Sequence, residues 1–222
     1  LLGVAANQIF FFTGLNYSKP VDTSIINATN PVFVLLLGAV IFGEKITFRR
    51  MSGIILGLCG ALMLVIFNGN NDQGVHFSTG NLLIVMNTFC YSLYLVYARP
   101  VFIKYNPIVV MKYVFLIGFL MILPITLYSM LQFDVSHVDA KGWWSLVYVI
   151  AGTTFLAYLF TTYGLRKLPS HVVAYYAYVQ PVLVAAIGIF FFSKSLTLIT
   201  IISTLLVLAG IILITAKPKI NA

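Results

Sequence analysis

The sequence predicts an all-α polytopic membrane protein, and three observations carry that prediction. Hydrophobic residues make up 61% of the 222-residue chain and charged ones only 8%, at a mean hydropathy of +1.02. A globular core of this size needs far less apolar surface. The apolar residues also fall in long uninterrupted runs, each near the roughly 20 residues that cross about 30 Å of hydrocarbon as a helix. Finally, the basic residues that bring the net charge to +8 sit at the ends of these runs, a membrane pattern and not a nucleic-acid-binding patch.

Eight spans follow, over residues 1–16, 21–42, 50–67, 81–103, 107–131, 143–165, 171–192 and 197–216. Their continuous apolarity excludes barrel strands, which alternate in polarity over about ten residues. The first span carries Asn7, Gln8 and Gly14. The second opens with Asn27, Thr29, Asn30 and Pro31 before turning to hydrocarbon, although a proline removes a helix donor and crowds the carbonyl four residues back. The third sets Gly53, Gly57 and Gly60 on one stripe, which lets a neighbouring backbone approach closely. The fourth holds Asn87, Tyr91 and Tyr94, and in the fifth Lys112 lies one turn inside and snorkels. The sixth begins with an aromatic belt of Trp143, Trp144 and Tyr148 and carries Thr154, Tyr158 and Thr162. The seventh starts at His171 and holds Tyr176, Gln180 and Pro181; the eighth holds Gly210. Cys59 and Cys90 lie in the middle of separate spans and read as small packing residues.

Alternating the loops between two sides places Lys45, Arg49, Arg50, Arg99, Lys104, Arg166, Lys167, Lys217 and Lys219 on one face and only Lys19, Lys141 and Lys194 on the other. The positive-inside rule makes the richer face cytoplasmic, with the C-terminus there. The loops at 68–79 and 133–141, with Asp72, Asp134 and Asp139, are then external.

An internal repeat runs through the chain at a constant offset of 150 residues. It pairs Gly14-Leu15 with Gly164-Leu165 and Pro31-Val32 with Pro181-Val182. Val34, Gly38, Phe42, Thr47 and Gly60 pair with Val184, Gly188, Phe192, Thr197 and Gly210, and Asn30 meets an equivalent carboxamide in Gln180. The spans at 81–103 and 107–131 have no counterpart in the first copy, so a complete copy has five helices. Five is odd, so the two copies enter the membrane from opposite sides, an inverted-repeat transporter architecture. The first copy, residues 1–67, keeps only its last three helices, while the second, 80–217, has all five. The offset puts the start of the first copy about 70 residues before residue 1, room for two more helices.

These residues resemble the drug/metabolite transporter superfamily, EamA type, over nearly the whole chain. The resemblance is carried by Asn30-Pro31, Gly43-Glu44-Lys45 and the glycines at 53, 57 and 60, by Gln180-Pro181 and Gly210, and by Gly80-Asn81-Leu82-Leu83 as the opening of a second repeat. It implies ten helices, five per half, both termini cytoplasmic, and a central cavity for small metabolites that are usually exported. The second copy departs from the pattern with Ser193-Lys194 where Gly43-Glu44 would recur.

Thr23, Asn27, Asn30 and Val34 follow the spacing of one helix face, which turns the carboxamides the same way. They either line a substrate cavity or join helices through hydrogen bonds worth about 0.6 kcal/mol each. Tyr176 with Gln180, Tyr91 and Tyr94 with Asn87, Gln8 with Asn7, and Tyr158 with its flanking threonines complete the candidate substrate-binding set. The tyrosines can stack on a flat ligand or simply pack. Pro31 and Pro181 are candidate hinges, loosening the helix near residues 27 and 177; the alternative is a proline tolerated among its neighbours. Glu44, beside Lys45, Arg49 and Arg50, reads as a structural ion pair.

The expected function is a secondary transporter, exporting a small organic metabolite such as an amino-acid-like compound by alternating access from the cell (inner) membrane. No catalytic residue, metal or cofactor is assigned: His76 and His137 fall in outer loops, His171 at a span start, and no nucleophile and base set appears. A multi-pass membrane enzyme or a non-transporting scaffold are the alternatives. Expected partners are the bilayer and the small-molecule substrate, with no nucleic acid. Coupling to a proton or sodium, and the choice between monomer and homodimer, stay open.

Overall fold

The structure is a computed structural model that describes residues 2–68, 79–133, 138–192 and 197–215. The expectations placed on Asp72, His76, Asp134, His137, Ser193, Lys194, Ala216, Lys217 and Lys219 lie outside the described residues. Within them the chain is almost entirely helical, without strands.

A π-helical turn, Leu2–Ala6, leads into α1 (Asn7–Tyr17), and α2 (Pro20–Asn27) and α3 (Asn30–Phe42) follow. Next come α4 (Phe48–Asn68), α5 (Thr79–Lys104) and α6 (Pro107–Gln132). α7 (Ala140–Val147) runs through a π segment, Tyr148–Leu156, into α8 (Ala157–Lys167). α9 (Ser170–Tyr175), a 3-10 turn at Tyr176–Tyr178, α10 (Val179–Phe192) and α11 (Leu198–Thr215) complete the order. Among the described residues five stretches are long and apolar enough to cross a membrane: Asp22–Phe42, Thr79–Lys104, Pro107–Tyr128, Ala140–Lys167 and Leu198–Thr215. They fall on the expected spans at 21–42, 81–103, 107–131, 143–165 and 197–216.

The prolines act where the missing donor predicts. Pro31 stands in the first turn of α3, directly after a two-residue break from α2 at Ala28-Thr29. Pro181 stands just inside α10, directly after the 3-10 turn. A donor lost at position i leaves the carbonyl at i−4 free, and the preceding turn tightens or opens. The run expected at 171–192 is therefore helical in three pieces.

Two buried clusters organise the packing. One gathers Val34, Tyr94, Leu95, Phe102, Met111, Tyr158 and Leu165 from α3, α5, α6 and α8. The other gathers Leu35, Ile54, Ala61, Tyr175, Tyr178 and Val207 from α3, α4, α9, α11 and the 3-10 turn. Around them the helices keep an apolar exterior, with Phe119, Ile125, Leu131, Trp144, Phe160, Phe190 and Leu205 all exposed. Such a surface is stable against lipid tails and not against water.

α4 and α11 cross with their backbones almost touching. A Cβ added at Gly53 would lie 3.0 Å from the Gly210 carbonyl oxygen, and one at Gly60 would lie 2.7 Å from the Ser203 carbonyl oxygen. The glycine stripe read in the third span thus finds its partner inside the same chain. Tyr175 closes this crossing by donating from its hydroxyl to the Val207 carbonyl at 2.8 Å.

Candidate functional site

α5 carries a polar seam. Asn81, Thr88, Ser92 and Arg99 are spaced 7, 4 and 7 residues apart, which at 100° per residue keeps all four within about 20° of one line. That line faces α2 and α3. Asn81 Nδ2 donates to Asp22 Oδ2 at 3.1 Å, Thr88 Oγ1 to Asn27 Oδ1 at 2.9 Å, and Ser92 Oγ to Asn30 Oδ1 at 2.7 Å. On the other side of α5, Asn87 Nδ2 donates to the Asn7 carbonyl at 2.8 Å and Asn7 Nδ2 returns a bond to the Asn87 carbonyl at 3.4 Å. Asn7, Asp22, Thr23, Asn30, Asn81, Asn87, Thr88 and Ser92 are all buried, where every unmatched polar group is costly.

The tyrosines form a neighbouring cluster. Tyr94 lies 6.0 Å from Tyr91 and 6.1 Å from Tyr158 between ring centres, and Phe115 meets Tyr158 edge-on at 5.5 Å. Tyr158 donates its hydroxyl to the Gly3 carbonyl, tying α8 to the π-helical turn at Leu2–Ala6. The Tyr94 hydroxyl is buried with no hydrogen-bond partner.

The α3 face that bears Asn30 continues one and two turns further to Val34 and Gly38, and there a cavity of about 250 Å³ opens. α3 contributes Val34, Gly38 and Phe42, α5 contributes Val96, Arg99, Pro100 and Ile103, and α9 contributes Ser170 and His171. Glu44 completes the lining from the turn after α3, and local backbone geometry puts it there. Gly43 adopts φ +64°, a left-handed conformation that glycine reaches without strain, and the Glu44 N–H caps the Gly38 carbonyl at 3.3 Å. The Glu44 side chain then lies back over Gly38, where an added Cβ would stand 3.5 Å from its carboxyl carbon.

Glu44 Oε2 stands 3.8 Å from an Arg50 terminal nitrogen and 3.5 Å from His171 Nδ1. His171 is 2% exposed, and its Nδ1 makes no hydrogen bond of good geometry. Ser170 Oγ is engaged with the Leu95 carbonyl at 2.9 Å, and Arg99 Nε donates to the Leu168 carbonyl at 3.2 Å.

Of the candidates read from sequence, Asn27, Asn30, Asn87, Tyr91, Tyr94 and Tyr158 all gather around α5. Gln8 is half-buried on α1, while Tyr176 and Gln180 are exposed and are not brought to this group. Asp22, Asn81, Thr88, Ser92, Ser170 and Arg99 are not among the candidates read from sequence, where His171 reads as a span-start residue. Only the heptad-like spacing on α5 could have signalled some of them. Among the described residues no group of three or more His, Cys, Asp or Glu is placed to hold a metal ion.

The family model described as the EamA-like transporter family matches residues 1–66 and 78–216. The uncharacterized transporter YetK of Bacillus subtilis (strain 168) is 25% identical over 218 residues, covering 98% of this chain; the chain spans 66% of that protein's length. A probable terminal-alkyne amino-acid exporter of Streptantibioticus cattleyicolor is 24% identical over 123 residues, 55% of this chain and 40% of that one. A crystal structure aligns at a TM-score of 0.76 and 19% identity over 96% of this chain and 74% of its own, a likeness of fold.

Proposed function

Because the chain belongs to the EamA-like transporter family of membrane proteins, we propose that it is a secondary transporter moving a small organic metabolite by alternating access between two inverted halves. The observation that carries this reading is the charged cavity between α3 of the first half and α5 and α9 of the second. A site walled by both halves changes its exposure when they rock against each other.

The inverted repeat has support in the α4–α11 crossing. Under the 150-residue offset Gly53 corresponds to Ser203 and Gly60 to Gly210, so the Gly53–Gly210 and Gly60–Ser203 contacts exchange with each other. That reciprocity is what a two-fold axis through the crossing produces. The break at Ala28-Thr29 and the 3-10 turn at Tyr176–Tyr178 also fall at nearly equivalent places, favouring Pro31 and Pro181 as paired hinges. On this reading each full half has five helices and the first half's opening pair precedes residue 1. The Glu44 end of the bundle faces the cytoplasm across the cell membrane, with both termini on that side.

The amino-acid exporter among the relatives favours an amino-acid-like solute moving outward. The relatives' names and the helix packing favour transport over a membrane enzyme, and a built cavity favours it over a sealed scaffold. The test is reconstitution of the full-length protein in liposomes and counterflow of labelled amino acids. Asn27→Ala, Asn30→Ala and Gln180→Ala should each insert and fold while transporting more slowly. Unchanged kinetics in all three would remove these side chains from the pathway, and the absence of any solute flux would overturn the transporter reading.

A further inference from the structure

The non-helical link between α3 and α4, residues 43–47, turns one side chain into the cavity. Gly43, Lys45, Ile46 and Thr47 are exposed, whereas Glu44 is half-buried and forms part of the cavity wall. The link has room to move at its root, since a Cβ added to left-handed Gly43 meets no atom within 4 Å. Arg50 travels with it: one terminal nitrogen donates to the Lys45 carbonyl at 3.1 Å, inside the link, and lies 3.8 Å from Glu44. Facing the link from α9 is His171, 2% exposed, with Nδ1 3.5 Å from Glu44 Oε2 and no hydrogen bond of good geometry. A full charge-assisted bond between such atoms spans about 2.7–2.9 Å, so the two groups can still close by about 0.6–0.8 Å. The neighbouring Ser170 is fixed to the Leu95 carbonyl at 2.9 Å, which makes α9 the stationary side and the link the moving one.

We propose that Glu44 and His171 form a proton-operated latch, in which a proton taken up by His171 draws the 43–47 link onto α9, narrows the cavity and slows transport. The proposal rests on the transporter reading and adds to it a control by pH. A neutral imidazole and a carboxylate attract weakly. An imidazolium carries protons on both ring nitrogens, so Nδ1 then donates to Glu44 Oε2 across an ion pair. The proton comes from the solution that bathes the cavity. The charged groups set against the ring are Glu44 from the link, Arg50 from α4 and Arg99 from α5. Burial, then Arg50 and more weakly Arg99, opposes a charge on the ring while Glu44 supports it, so the latch closes on the acid side of the ordinary histidine range. Closing carries the Glu44 carboxyl, whose place beside Gly38 is part of the cavity wall, toward α9. With the Glu44 end facing the cytoplasm, the signal is internal acid.

The experiment follows the reaction of N-ethylmaleimide with Val96→Cys, a cavity-lining position only 3% exposed, in purified full-length protein that also carries Cys59→Ala and Cys90→Ala. Rates are taken from about pH 8 to about pH 5, with and without His171→Gln, and the ratio of the two at each pH removes the thiol's own titration. The ratio should fall about tenfold toward acid pH, the shift that one hydrogen bond to a charged group supplies. In a Glu44→Gln background it should stay flat, which a histidine that merely packs would not produce. Counterflow of labelled amino acids in proteoliposomes should slow toward acid pH in the unsubstituted protein and not in His171→Gln. If His171→Gln fails to fold, Glu44→Gln against the unsubstituted protein supplies the same comparison. A flat ratio would overturn the latch and leave the transporter reading to its own test. Flux that ignores pH while the ratio falls would overturn the control of transport. A falling ratio in a protein that moves no solute would support the latch on the cavity and sink the transport reading.

Discussion

Gly210→Ala tests the α4–α11 crossing more directly than any other single substitution. The new Cβ would stand 2.6 Å from the Gly53 carbonyl oxygen, where ordinary contact begins at 3.4 Å. The obstacle is backbone, so no side-chain rotation relieves it, and the helices must part by about 0.8 Å, a gap that forfeits a quarter to a half of each affected dispersion contact. Overpacking of this kind costs about 1–3 kcal/mol. The same methyl also meets the Tyr175 hydroxyl, and displacing its bond to the Val207 carbonyl adds about 1 kcal/mol. A total of about 2–4 kcal/mol lowers the unfolding temperature of a chain this size by about 5–15 °C. Gly152→Ala is the control, since its Cβ would meet only the Tyr148 ring at 3.6 Å, an ordinary contact. Thermal unfolding of both variants in detergent, followed by tryptophan fluorescence, separates them. If Gly210→Ala unfolds at the temperature of Gly152→Ala, the close crossing does not exist in the protein.

Three further outcomes follow from single groups. Asp22→Ala removes a buried acceptor of Asn81 and should cost about 1–3 kcal/mol in thermal unfolding, whereas Asp22→Asn keeps an acceptor oxygen and should recover at least half of the loss. Gly43→Ala meets no atom within 4 Å, so its cost is the left-handed backbone alone, about 1–2 kcal/mol in the same assay; a neutral result would mean the turn before Glu44 is not left-handed. Tyr158→Phe deletes the bond to the Gly3 carbonyl and should cost about 1 kcal/mol in the same assay; an unchanged unfolding temperature would show that the tyrosine does not hold the Leu2–Ala6 turn.

The five membrane-length stretches were legible because lipid demands a simple pattern, long apolar runs with internally bonded backbone, and residues such as Phe119 and Leu205 announce it one by one. The breaks near Asn27 and Ala177 were legible as well, since a missing proline donor acts on its own turn. The partnerships were not. Asn27 with Thr88 and Asn30 with Ser92 join residues 61 and 62 positions apart, and nothing in either local pattern names the other. His171 was harder still. At the start of a span it resembles any polar flanking residue, and only the approach of the Gly43 turn brings it to Glu44. The glycines at 53 and 60 fall between these cases: their spacing promised a close neighbour, but only packing identified it as α11.

The polar seam between α5 and the α2–α3 pair bears on how a pathway could open. In water such pairs would be unremarkable, but among apolar helices they concentrate hydrogen-bonding groups on one line about 27 Å long from Asn81 to Arg99. Three side-chain bonds, from Asn81, Thr88 and Ser92, close that line against the first half of the chain. At about 0.6 kcal/mol each, separating them costs about 2 kcal/mol, within the few kcal/mol that separate interconverting conformations. The groups released would line the opened space with donors and acceptors for water or solute, so the penalty of exposing them to hydrocarbon never arises. The hydrogen bonds that join the helices in one conformation can therefore be the groups that line a pathway in the other. On this account the two readings of Asn27 and Asn30, as bonds between helices and as cavity wall, describe one pair of residues in two states.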